Sequence, residues 1–200
     1  MPLEDCSLNE ILSDIGRTAP RFSGSTSALI AAQLGIAMAK MALVVSSNHG
    51  FDNRITVALV DSLASDVKAA AKRDQSASAA LIEIDKGSCN TDDLLRARMN
   101  ATREPLAAAH VLIETLELVW RDADQIDASV ASDFYGGIEL ISAAFSAVMM
   151  AIETNLAADG MENLLQRTEG DRSRLRNKHT EFSKNKPLHT ARDQFQRDFR

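Results

Sequence analysis

Residues 132–158 constrain the fold more than any other stretch, because at 3.6 residues per turn they sort into three faces of different chemistry. One face carries Ile138, Ile141, Phe145, Val148, Met149 and Ile152, a stripe suited to a core. A second carries Glu139, Ser142, Ser146 and Glu153 and is expected to meet solvent or another subunit. The third runs through Asp133, Gly137, Leu140, Ala144, Ala147, Ala151 and Asn155, a carboxylate and an amide along a seam of mostly small side chains. Small side chains leave room for a ligand or for the close approach of another helix.

The rest of the chain follows the same period. No segment sustains the alternation of a half-buried strand, whereas helical spacing recurs throughout. Ser7 and Glu10 form a capping-box pair ahead of Leu8, Ile11, Leu12 and Ile15, and Gly16 closes that first helix. The most apolar run, ALIAAQLGIAMAKMALVV at 28–45, is interrupted by Gln33, Gly35 and Lys40. It reads as a buried helix of a soluble protein, ending near Val45 before Asn48 and Gly50, rather than as a membrane span. Gly24, Ala28, Ala31, Gly35, Ala39 and Ala42 recur along it at three- and four-residue steps, a seam for helix packing.

A third helix is expected from Asp52, bending or ending in the polar patch KRDQSAS at 72–78. Thr91, Asp92 and Asp93 offer a cap and first-turn acids for a fourth, which Pro105 should kink or restart. A turn at Asp122–Asp127 precedes the three-faced helix, and a more polar one follows from Met161 to about Phe182. The expected architecture is all-α: an up-and-down bundle of about five to six helices, with one domain over 1–182 and a polar tail over 183–200, loose or a partner arm.

Several functions are disfavoured. A formal net charge of −6 does not suit a phosphate-binding surface, so nucleic acid is not an expected partner, nor is a membrane. Cys6 and Cys89 show no paired or metal-binding spacing, and MPLEDCSLNE lacks the pattern of a secretory leader, so a reducing, cytoplasmic setting is expected. His49, His110, His179 and His189 lack zinc-site spacing, and no metal is expected. No phosphate-loop or nucleophile-elbow motif occurs. His110 with Glu114 reads as an ordinary pair before it reads as an oriented base, and Asp122, Asp124 and Asp127 read as turn residues.

Against this background one pattern is informative. Phe22-Ser23-Gly24-Ser25-Thr26 opens the Ala-rich apolar helix; Asp74 is followed by Ala77 and Ser78; and Pro105, Ser132, Asp133 and Asn155 mark successive helices. Over roughly residues 5–160 this resembles the folate cyclohydrolase and cyclodeaminase proteins, including the C-terminal domain of formiminotransferase-cyclodeaminase. There a Pro-Gly-Gly-Gly-Ser loop opens the helix, so that two glycines are replaced here, by Ser23 and Ser25. Gly87, Ser88 and Cys89 replace a Leu-Pro-Lys segment, and Ala151 replaces an Asn.

The resemblance implies action on a reduced folate or related pterin, with no other cofactor, in a homodimer or higher homo-oligomer. Asp74 would be the catalytic acid-base, and Gly24, Thr26, Asp133 and Asn155 would bind substrate. Ser25 is expected to hinder a close backbone approach that glycine would allow. The residues alone leave other roles open: a solvated charge for Asp74, a helix cap for Asp133, a carbonyl-satisfying helix end for Asn155. A subunit that keeps the fold and binds pterin without turnover, or a plain helical scaffold, is the alternative to an enzyme.

Overall fold

The computed structural model describes residues 5–17, 21–86 and 90–184, and among these it contains six α-helices, two short 3-10 turns and no strand. The helices are α1 (Leu8–Ile15), α2 (Gly24–Asn48), α3 (Arg54–Lys86), α4 (Thr91–Arg121), α5 (Ala131–Leu156) and α6 (Glu162–Lys184). Helices α2 to α5 alternate in direction and close on themselves, since α2 lies against both α3 and α5. Ser25 meets Asp74, Arg73 meets Glu104, and the carbonyl of Ala101 meets Asn155, so each neighbouring pair is antiparallel. Helix α6 lies outside this bundle against α4 and α5.

The centre is the α2–α5 pair. Among the described residues these are the two helices long and apolar enough to cross a membrane, and they spend much of that apolarity on each other and on the core. Gly35 and Gly137 form the closest approach: a Cβ built on Gly35 would fall 2.5 Å from the Gly137 carbonyl oxygen, and one on Gly137 would fall 2.4 Å from that of Gly35. The small-residue seams of both helices therefore serve backbone contact here. Ile138, Ile141, Phe145, Val148, Met149 and Ile152 are all buried, as the core stripe requires.

Three local expectations need correction. Helix α3 does not end at 72–78, and Asp74 in that patch is drawn inward and buried against the start of α2. Helix α4 does not restart at Pro105 but runs through it as one helix, and it is capped by Asn90, whose side chain accepts from Asp92 N, with Thr91 as its first residue. The polar face of α5 is met by α6 at Ser142 and Glu153, while Ser146 on the same face stays exposed. Ser142 Oγ lies 2.8 Å from His179 Nε2, and Glu153 pairs with Arg172 and Arg176.

Arg172 explains how a polar helix such as α6 is held. Its side chain is 1% exposed, and it donates to both carboxylate oxygens of Glu153, to Glu169, to the Leu165 carbonyl and to the Thr168 hydroxyl. The expected domain limit near residue 182 falls within α6, and residues 185–200 of the expected tail lie outside the described residues.

Candidate functional site

The site is assembled where the chain enters α2. Asp14 accepts hydrogen bonds from Arg21 N at 2.7 Å and Arg21 Nε at 2.8 Å, which ties the end of α1 to the entry segment. Phe22 follows at 1% exposure, with the Arg21 guanidinium 5.4 Å from its ring centre. These anchors place Ser23, an extended residue (φ −67°, ψ 166°) whose hydroxyl caps α2 by accepting from Thr26 N. No positive φ occurs in this segment, so replacing glycine by Ser23 and Ser25 introduces no backbone strain.

Three hydroxyls then converge on one carboxylate. Asp74, fully buried on α3, accepts from Ser23 Oγ at 3.0 Å, from Ser25 Oγ at 2.9 Å and from Thr26 Oγ1 at 2.5 Å. The hydroxyls also approach one another: Ser23 Oγ lies 2.9 Å from Ser25 Oγ and 2.8 Å from Thr26 Oγ1. Burial pushes the Asp74 carboxyl above its usual value near 3.8, opposed by the hydrogen bonds from Thr26, Ser25 and Ser23, while the charge of Glu104 adds a smaller upward push. A carboxyl poised in this way can hold or release a proton closer to neutral pH than an exposed aspartate.

Beside it, between α3 and α4, runs a groove of about 530 Å³. Lys72, Arg73, Ser76 and Ala77 line one wall and Asn100 and Glu104 the other, with Arg73 Nε 3.0 Å from Glu104 Oε2. This size is within the range of small-molecule sites. Ala77, Ala80 and Ala97 keep it open because each stops at Cβ.

The residues expected at the site separate into two groups. Gly24, Thr26, Asp74 and Asn155 lie toward one end of the bundle. Gly24 is exposed, and a Cβ there would meet nothing within 4 Å. Thr26 is completely buried and contacts Asp74 rather than open space. Asn155 is half-buried and donates from Nδ2 to the Ala101 carbonyl at 2.8 Å.

Asp133 lies elsewhere in the subunit. Gly35 against Gly137 sets the register of α2 and α5; counted from there at 1.5 Å per residue, Ser25 and Asp133 lie on opposite sides, about 20 Å apart along the bundle. The expectation that Asp74 and Asp133 line one cleft therefore fails within a single subunit. The structure also corrects two readings of single residues. Asp74 is not a solvated charge, and His110 is bound through Nε2 to Asp171 on α6 at 2.8 Å rather than to Glu114.

Sequence reasoning missed Ser23 and gave Ser25 the wrong direction. Ser25 was expected to obstruct ligand approach, but it is 4% exposed and faces Asp74. The available signal was three hydroxyls at 23, 25 and 26 around a helix start, which point to a shared acceptor. Among the described residues no cluster of three or more His, Cys, Asp or Glu could hold a metal ion.

Comparison with known proteins agrees with this picture. The sequence model of formiminotransferase-cyclodeaminase matches residues 7–172. Among solved structures, formiminotetrahydrofolate cyclodeaminase from Thermotoga maritima superposes with a TM-score of 0.73 at 19% identity, over 91% of this chain and 96% of that one, a likeness of fold. No curated protein matches. With a family match over most of its length and the same helical architecture, the chain belongs to the formiminotransferase-cyclodeaminase family.

Proposed function

We propose that the protein is an enzyme of one-carbon metabolism acting on a reduced folate or related pterin, either hydrolysing a methenyl bridge or closing one with loss of ammonia. The single observation that carries this reading is Asp74, a buried carboxyl with a raised pKa beside an open groove of suitable size. Family membership and the fold shared with a formiminotetrahydrofolate cyclodeaminase support it. Both reactions need a proton moved to or from nitrogen or water at an electrophilic one-carbon unit. A positioned carboxyl supplies about 10²- to 10⁴-fold by such help.

The pterin would lie in the α3–α4 groove, with Gly24 exposed at the start of α2 and Asn155 supporting α4. Asp133 could then reach substrate only from a neighbouring subunit. Leu34, Met41 and Val44 on α2 and Met150 on α5 are exposed, and they favour a homodimer built on this face. A two-fold axis crossing α2 near Leu34 would set the partner subunit's Asp133 at the level of Asp74. We place the protein in the cytoplasm, because two cysteines without paired spacing suit a reducing compartment.

One observation favours a second reading. Asp74 is completely sealed by its hydroxyl partners, as a pterin-binding subunit that had lost turnover would allow. The deciding experiment follows methenyl-tetrahydrofolate absorbance, and ammonia release from formimino-tetrahydrofolate, with wild type and Asp74→Asn. Turnover above buffer that Asp74→Asn abolishes supports the enzyme. A folate-dependent rise in melting temperature without turnover supports the binding subunit, and no effect of any folate rejects both.

A further inference from the structure

The arrangement around Asp74 raises a question of access, because a group with no exposed surface cannot touch a substrate in the groove. Asp74 and Thr26 are 0% exposed and Ser25 is 4% exposed. Ser23 is the member of the set that is only half-buried, and its hydroxyl lies 3.0 Å from Asp74 Oδ2. Of the three hydroxyl residues bound to Asp74, Ser23 is thus the one that is not buried.

Hydrogen counting points the same way. With Asp74 ionised, the three hydroxyls supply one hydrogen each, too few for the close contacts Ser23–Ser25, Ser23–Thr26, Ser23–Asp74, Ser25–Asp74 and Thr26–Asp74. Ser23 Oγ takes part in three of these and also accepts from Thr26 N at 3.1 Å. Its hydrogen therefore has more than one acceptor at similar distance, the arrangement in which a hydroxyl changes partners without moving its oxygen.

We propose that Ser23 is a proton relay between Asp74 and the substrate, a role resting on the enzymatic reading above. In the hydrolytic reaction, water adds to the amidinium carbon and a C–O bond forms. The water's proton passes to Ser23 Oγ as the Ser23 hydrogen passes to Asp74 Oδ2. In the second half the Asp74 proton returns to Ser23, and the Ser23 hydrogen goes to the departing ring nitrogen. The C–N bond breaks with its electron pair on that nitrogen, the carbinol oxygen closes the formyl C=O, and the second proton of the water, left on that oxygen, goes to solvent. Asp74 and Ser23 end as they began, and water is the only co-reactant.

Ser25 and Thr26 are positioning residues in this scheme, holding the carboxylate by its remaining lone pairs. Ser23 and Ser25 occupy positions where the family loop resembled by 22–26 has glycine. The relay would then be a feature of this chain: side-chain hydroxyls fill the space beside the acid and transmit its proton.

The test compares Ser23→Thr, Ser23→Asn and Ser23→Ala with wild type and Asp74→Asn, using methenyl-tetrahydrofolate as substrate and recording kcat, KM, the solvent deuterium isotope effect and Tm. Asn caps a helix about as well as Ser but has no hydroxyl to relay a proton, so it separates relay from cap. Expected are a loss of about 100-fold in kcat with little change in KM for Ser23→Asn, an equal loss for Ser23→Ala, and near wild-type turnover with the isotope effect retained in Ser23→Thr. Ser23→Asn turning over at the wild-type rate while Asp74→Asn is inert would overturn the relay and leave the enzymatic reading intact. No turnover by wild type, or undiminished turnover by Asp74→Asn, would reject the reading and the relay together.

Discussion

Asn155 on α5 donates its side-chain N–H to the carbonyl of Ala101 on α4 at 2.8 Å, and that is the carbonyl which Pro105, having no N–H, leaves without its helical donor. A proline in mid-helix and an amide in the last turn of the next helix are thus two halves of one device. It lets α4 continue through Pro105.

Removing the amide should expose the cost. Asn155→Ala is expected to destabilise the protein by about 1–3 kcal/mol, the range for a buried group left unpaired, since Ala101 is 2% exposed. Pro105→Ala restores the missing backbone donor, so the double variant should lose less than the sum of the two single changes. Urea denaturation of all four proteins gives the coupling, and strict additivity would show that the two residues act separately.

The Gly35–Gly137 crossing predicts an asymmetry among glycines. Alanine at either position should destabilise by about 1–3 kcal/mol, because the added methyl meets a backbone oxygen that cannot step aside. Gly170 in α6 has nothing within 4 Å of a built Cβ, and Gly170→Ala should instead stabilise by up to about 1 kcal/mol through helix propensity. Thermal melts would reveal the opposite signs.

Asp74 makes stability depend on pH in an unusual direction for an acid. Its folded-state carboxyl titrates above the usual value near 3.8, so between the two values the folded protein holds the proton more tightly than the unfolded chain. Its contribution is complete below the ordinary value and is lost as pH rises through the folded one. Asp14 and Asp127, both lowered, act in the opposite sense: Asp14 by its hydrogen bond from Arg21, and Asp127, to about 2, by that from Ser129. The wild-type stability profile minus that of Asp74→Asn should therefore fall as pH rises above about 4. A flat or rising difference would contradict the burial argument.

Arg172 fastens α6. Arg172→Ala should weaken the protein by about 1–3 kcal/mol, less than the 3–5 kcal/mol of a wholly buried pair, because Glu153 and Glu169 stay 41% and 57% exposed to water. Amide exchange should accelerate first in Glu162–Lys184, and uniform acceleration over all helices would argue that α6 is not held locally.

Much of the helix inventory follows from sequence because it depends on local rules. The Ser7–Glu10 box, the stop near Asn48 and the core stripe of α5 arise from hydrogen-bond caps and a 3.6-residue period, which operate within a few turns. The same rules allowed a restart at Pro105 and a stop at 72–78 that α4 and α3 do not make. In both places the deciding partner, Asn155 or Ser25, lies far along the chain.

The sequence by itself determined that the chain would form long amphipathic helices, and that Asp74, Gly24 and Thr26 were residues to watch. Only the tertiary structure decided that three hydroxyls enclose Asp74, that Asn155 serves Pro105, and that Asp133 lies about 20 Å along the bundle from the carboxyl it was expected to join. Helical faces can be read from period alone. The axial offset between two helices is set by where their backbones can touch, here Gly35 on Gly137, and that contact is a property of the packed pair rather than of either segment.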